Sequence, residues 1–213
     1  MSNDQEFRDE LLNLASGLGE VAIDSTIDTE LFKDIPIIGS AISLIKIGKS
    51  LSDELLLIKI KHFLNQLDIK TPDEIDEFKE KYLKNTDYNR IGSKLLLEIN
   101  QSTEAKRLEW LANALIAHVD GVIPQHEYLR ITEMIKSIGL ADVDYLELFR
   151  EKETVIVSEF DLLDPFFFEQ LVYKGFIQHS AFDEGDARSN SSSTEYRLTY
   201  PGNLFLQFIL KPN

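Results

Sequence analysis

The chain has 213 residues, 22 Lys and Arg against 37 Asp and Glu, a formal charge of -15, 43% hydrophobic side chains and no cysteine. That length and apolar share suffice for one large or two small domains with a buried core, which argues against disorder over most of the chain. The missing cysteines exclude a disulfide framework and any thiolate site and point to a reducing compartment; the acidity argues against nonspecific nucleic-acid binding, which needs a surplus of Lys and Arg.

The first twelve residues, MSNDQEFRDELL, are acidic and lack the basic start and apolar stretch of a signal peptide, so a cytoplasmic location is expected. Phe7, Leu11, Leu14, Ala15 and Leu18 recur at helical spacing, and the helix weakens near Gly17 and Gly19. Residues 1–30 hold eight acids and one base, whereas 31–70 hold four acids and six bases and form the most apolar part of the chain. There Ile37, Ile38, Ile42, Leu44 and Ile45 lead to Lys46 and Lys49. A second run, 53–67, carries Leu56, Ile60, Phe63, Leu64 and Leu67 on one stripe. Together they predict a helical hairpin over 36–67 with a turn near Ser50 to Ser52.

The first arm would span only about 20 Å as a helix, against a hydrocarbon core of roughly 30 Å, so a single-span anchor is not expected. Two readings stay open. The hairpin is either core, wrapped by other helices, or it associates with a membrane, with Lys46, Lys49, Lys59 and Lys61 at anionic headgroups.

Thr71-Pro72-Asp73-Glu74 is a helix start, with Thr as N-cap, Pro at the first helical position and Glu able to reach back as a capping box. The helix that follows turns Ile75, Phe78, Tyr82 and Leu83 inward. Another helix runs from about Asn89 to Asn100. Thr103 starts the clearest one, with Leu108, Leu111, Ala112, Leu115, Ile116 and Val119 on its stripe, and Gly121 stops it. Trp110 lies off that stripe with Ala114 and Ala117, a second apolar face that is either buried or open to a partner. Pro124 opens the next helix, with Gly139 as its C-cap, and a short helix from Asp142 to Phe149 follows.

After Lys152 the texture changes. Thr154–Ser158 reads as a strand, 165–173 as a helix ending at Gly175, Phe176–Ser180 as a strand, and Asp183–Thr194 as a polar loop. Glu195–Thr199 returns as a strand and Pro201–Leu210 closes as a helix. The fold expected is therefore mainly α: a helical bundle over 1–150 and a small α+β winged-helix-like domain over 151–213, with the polar loop as its wing.

The residues offer little catalytic chemistry. His62, His118, His126 and His179 fall on separate elements without a helical metal-ligand spacing, and no phosphate loop, dinucleotide fingerprint or nucleophile elbow occurs. The carboxylates of Asp73, Glu74, Asp76 and Glu77 suit a first helical turn beside the positive end of its dipole. No enzymatic activity, cofactor or metal is expected. The helix at the recognition position, Asp164–Lys174, lacks the side chains a groove reader needs, and the loop sets Arg188 against Asp183, Glu184 and Asp186. Nucleic acid is not the expected partner. Phe166, Phe167 and Phe168 stand about 100° apart around a helix, so at least one must face a neighbouring domain or a partner. These three and Trp110 are the candidate partner-binding residues.

Three stretches, LFKDIPIIGSAISLIKIGKSLSDELLLIKIKHFLNQL, KLLLEINQSTEAKRLEWLANALIAHVDGVIPQHEYLRI, and the ending LVYKGFIQHS with YRLTYPGNLFLQFI, follow an order that resembles a group of uncharacterised bacterial helical proteins. More loosely, it is similar to the abortive-infection alpha family, which pairs a helical body with a C-terminal L…G-[FI]-I…Y-x-L-T-x-x-G unit. The resemblance covers most of 31–210. It implies a cytoplasmic bacterial protein linked to phage defence or to a toxin and its antidote, and it brings no catalytic residues. Pro201, just before Gly202, departs from the pattern and shortens the start of the closing helix. The expected function is a non-enzymatic protein-interaction module in a defence or stress context. The alternatives are a membrane-active effector that inserts the 36–67 hairpin and a winged-helix DNA-binding regulator.

Overall fold

A computed structural model describes residues 3–15, 39, 51–69, 71–85, 87–158, 163–180 and 193–211. They divide into two compact units, Met1–Thr132 and Glu133–Asn213. The described residues are mainly helical, with one small three-stranded antiparallel sheet.

The first unit contains α1 (Asn3–Ala15), α2 (Leu51–Gln66), α3 (Pro72–Asn85), α4 (Tyr88–Gln101) and α5 (Ala105–Val119), followed by the start of α6 (Gln125–Ser137). Local signals set most of these boundaries. Thr71 and Glu74 form the expected capping box: the Thr71 amide donates to Glu74 Oε2 at 3.0 Å and the Glu74 amide to Thr71 Oγ1 at 3.3 Å. Asp87 caps α4 by accepting from the Arg90 amide. Gly121 ends α5 at φ 77, where its amide bonds His118 O and that of Val122 bonds Ala117 O, a Schellman closure that needs the left-handed residue.

α5 is the central helix, and α1, α2, α3 and α4 all pack on it. Its buried set therefore runs well beyond the expected stripe to Trp110, Asn113, Ala114, Ala117 and His118. α2 buries Leu57, Ile58, Ile60, Phe63, Leu64 and Leu67, so this arm of the expected hairpin is core, while its other arm, with Ile37, Ile38, Ile42, Leu44, Ile45, Lys46 and Lys49, lies outside the described residues. Two expectations fail here. Leu83 is exposed, because Ile75, Phe78 and Tyr82 already define the inner stripe of α3. α5 starts one residue after Glu104 rather than at Thr103, and the Glu104 carboxylate goes to Arg107 Nε at 2.9 Å instead of capping.

The second unit runs through α7 (Leu140–Glu147), β1 (Thr154–Ser158), α8 (Pro165–Tyr173), β2 (Ile177–His179), β3 (Ser193–Leu198) and α9 (Tyr200–Leu204), which passes into a π-helical turn, Phe205–Ile209. β3 is the middle strand, with Thr154 opposite Arg197 and Ser158 opposite Ser193 on one side, and Ile177 opposite Leu198 and His179 opposite Tyr196 on the other. The change of texture at 150/151 marks where strands begin. By packing, α7 goes with α8, so the division into units falls earlier, inside α6.

Gly139 is not a C-cap. It has an extended backbone and starts α7, its amide donating to Asp142 Oδ2 at 2.8 Å while the Asp142 amide returns to Gly139 O. The closing helix is not continuous either: the bond from the Leu210 amide to Phe205 O spans five residues, and the wider turn keeps Phe205, Leu206 and Ile209 all buried. The polar loop lies outside the described residues over 181–192.

The L…G-F-I and Y-R-L-T-Y-P-G segments prove to be two halves of one junction. Gly175, at φ 84, ends α8 in a second Schellman closure, with Phe176 N bonded to Leu171 O and Gly175 N to Val172 O. Thr199 then caps α9 by accepting from the Gly202 amide at 3.1 Å. Its hydroxyl reaches the carbonyls of Gly175 at 2.6 Å and Phe176 at 3.1 Å.

Candidate functional site

α8 is built to hold one orientation. Asp164 caps it, Oδ1 accepting from the Phe166 amide at 2.9 Å, and Pro165 occupies the first helical position. Phe168 and Leu171 are fully buried. Phe168 lies edge-on to Tyr145 and Phe149 and stacks on Tyr196 at 5.1 Å between centroids. Phe167, half-buried, stacks on Tyr145 at 4.6 Å. The three adjacent aromatics thus separate as helix geometry requires, and Phe166 is the one left outside, 61% exposed.

Phe166 does not stand alone. Tyr173, two turns further along the same face, is 89% exposed, and Glu169 and Gln170 lie between them. Neither Tyr173 nor Glu169 was singled out by sequence reasoning, although the seven-residue interval from Phe166 to Tyr173 was a readable signal.

Glu169 ties this face to the sheet. Its Oε1 accepts from Tyr196 Oη at 2.7 Å and pairs with His179 Nε2 at 3.0 Å. The Tyr196 bond, followed by the one from His179, holds the Glu169 carboxyl below the usual carboxylate range. Burial first, and then the neighbouring carboxylate, push the Tyr196 phenol up to about 12. Lys174, just past the helix, points elsewhere: it forms a largely buried ion pair of 2.5 Å with Asp142. The outward face of α8 consequently carries aromatic rings and carboxylates and no cation.

A shallow groove of about 500 Å³ lies elsewhere in this unit, between 149–153 and 197–203. Its cations are largely engaged. Arg150 donates to Glu147 and to the carbonyls of Leu206 (3.1 Å) and Leu210 (2.8 Å), while Arg197 faces the Gln178 side-chain amide, whose oxygen accepts from it at 2.9 and 3.2 Å when the amide is turned to satisfy both groups. Glu151 and Glu153 lie beside Lys152 in its lining.

Trp110, expected at a partner surface, is 1% exposed and belongs to the core of the first unit, because α5 is surrounded by helices. Near the end of the same helix His118 is buried, its Nδ1 bonded to Ile123 O at 2.8 Å and its ring stacked on Tyr128. Desolvation holds the imidazole pKa below its ordinary value, outweighing the bond to Ile123. Burial pushes the Tyr128 phenol far up, with Tyr82 and Glu98 adding to the shift. His62 is buried against Phe7, His126 is exposed, and His179 joins the α8 cluster, so the four histidines remain apart. No described helix is long and apolar enough to cross a membrane.

No family model, curated protein or solved structure matches this chain.

Proposed function

We propose that the chain is a non-enzymatic protein-interaction module that docks a partner on the outer face of α8. The carrying observation is the pair Phe166 and Tyr173, two large aromatic side chains exposed on one face of a helix whose other aromatics are packed. Exposed apolar clusters of this kind mark binding surfaces more often than isolated exposed residues do. The order α7, β1, α8, β2, β3, α9 and the β1-β3-β2 sheet support reading the second unit as winged-helix-like, with α8 at the recognition position. A recognition helix that shows aromatics and carboxylates serves a protein rather than a phosphate backbone. The likeness of LVYKGFIQHS and YRLTYPGNLFLQFI to the ending of the abortive-infection alpha family supports placing this module in bacterial defence or stress.

Affinity capture from native cells with the full chain tests the reading. A Phe166→Ser/Tyr173→Ser double variant should keep its circular dichroism spectrum and lose the proteins that wild type retains. Retention of the same proteins by the double variant would refute it.

A further inference from the structure

On the reading that the outer face of α8 is a docking surface, we propose that its partner is a cationic protein segment whose Arg or Lys side chains lie over Phe166 and Tyr173 and pair with Glu169 between them. Positions 166, 169, 170 and 173 fall within about 100° of one another around a helix, and Phe166 and Tyr173 stand about 10.5 Å apart along it. All four side chains are exposed or half-buried, whereas Phe168 and Leu171 are fully buried, so the stripe is one surface.

Its charge is one-sided. Glu169 lies in the middle and Asp164 at the amino-terminal end, while Lys174 is turned away into Asp142. Glu169 Oε1 takes both local donors, and Oε2 takes none among the described residues. A carboxylate oxygen left open between two aromatic rings is what a guanidinium or ammonium group recognises, by charge-assisted hydrogen bonding and by lying on the ring faces. A purely apolar partner would cover Glu169 Oε2 without giving it a donor, which is unfavourable. A second copy of this chain would bring the same carboxylates and a formal charge of -15 against its twin, and nucleic-acid phosphates would meet the same repulsion.

Three labelled amphipathic peptides with identical Leu positions and Arg, Gln or Glu at the polar ones, titrated into the full chain at physiological salt and followed by fluorescence anisotropy, test this. The Arg peptide should bind at least tenfold tighter than the Gln peptide. The Phe166→Ser/Tyr173→Ser variant should lose at least tenfold of that affinity, and Glu169→Gln, which keeps an acceptor for Tyr196, about threefold or more. Equal binding of the Gln or Glu peptide in a manner dependent on Phe166 and Tyr173 overturns the cationic partner and leaves the docking surface standing. Arg-peptide binding that is indifferent to all three substitutions, or no binding at millimolar peptide, also overturns it. The capture experiment above reads docking without regard to the partner's charge, so the two failures are distinguishable.

Discussion

Replacing Gly202 with alanine should be among the most damaging single-methyl changes in the second unit. A Cβ built there would lie 1.9 Å from Phe176 O, 2.8 Å from the Phe176 carbonyl carbon and 3.1 Å from its Cα. All three are main-chain atoms, so no side-chain rotation relieves the contact. Reaching an ordinary separation requires α9 and the residue before β2 to part by about 1.5 Å, and close-packed interiors resist such overpacking at about 1–3 kcal/mol. The same movement stretches the bonds that hold the junction, Thr199 N to Phe176 O at 3.0 Å and the Thr199 hydroxyl to the Gly175 and Phe176 carbonyls. Losing two of these adds about 1 kcal/mol each. The expected cost is about 3–5 kcal/mol, a large part of the roughly 5–15 kcal/mol that stabilises a typical domain.

Two other glycines calibrate the argument. Gly175→Ala meets nothing within 4 Å but sits at φ 84, so it should cost only the left-handed penalty of about 1–2 kcal/mol. Gly139→Ala has an ordinary backbone and meets only the Asp142 side chain, at 3.2 Å, so it should cost less than about 1 kcal/mol. The assay is urea unfolding by far-UV circular dichroism together with amide hydrogen exchange over 171–204, because the one tryptophan, Trp110, reports on the first unit. A Gly202→Ala chain within about 1 kcal/mol of wild type, or less affected than Gly175→Ala, would refute the close-approach reasoning.

Arg150→Met removes the guanidinium that gathers the Leu206 and Leu210 carbonyls, and should cost about 1–2 kcal/mol with faster amide exchange over 205–210. Lys174→Met leaves the Asp142 carboxylate buried with only the Gly139 amide, and a loss of about 2–4 kcal/mol in urea unfolding is expected. Burial holds the His118 pKa below its ordinary value in the folded chain, so its contribution is complete above the unfolded pKa near 6.5 and is lost as pH falls from there through the folded one. Unfolding midpoints at pH 7.5 and 5.5 should therefore differ less in His118→Asn than in wild type, and equal differences would refute the assignment. Phe168→Ala should cost about 3–5 kcal/mol and Phe166→Ala less than about 0.5, a contrast that thermal or urea unfolding reads directly.

At Thr71–Glu74, at the two glycines that close α5 and α8, and along the strand and helix of 154–173, local residue chemistry was a sufficient guide. Thr71 and Glu74 cap each other, Gly121 and Gly175 take the left-handed positions, and Thr154–Ser158 and 165–173 form the elements their side chains favour. Gly139 was misread because one glycine in a short link can end one helix or begin the next, and the deciding group was Asp142, three residues on. Of the two readings of the Trp110 face, buried or open to a partner, tertiary packing selects the buried one, because α5 is enclosed by four helices. The absence of any Asp, Glu, Lys or Arg from 110–119 was the signal that this half of the helix has no wet side.

The face of α8 shows how much one packing contact can decide. Helix geometry required one of three adjacent phenylalanines to leave the core without saying which, since periodicity leaves the phase of a uniformly aromatic run undetermined. The phase is set by Phe168, wedged among Tyr145, Phe149 and Tyr196. Once that ring is fixed, Phe166 and Tyr173 lie about 140–160° away around the helix and must face outward, while Phe167, about 100° away, can reach Tyr145 only along the edge. Glu169 is carried to the position where Tyr196 and His179 meet it. Tyr196 therefore serves both sides of the helix, stacking on Phe168 within the core and bonding Glu169 at the rim. The exposed aromatic and acidic pattern thus follows from the core contact that orients α8, and a substitution at Phe168 would disturb that outer face as well as stability.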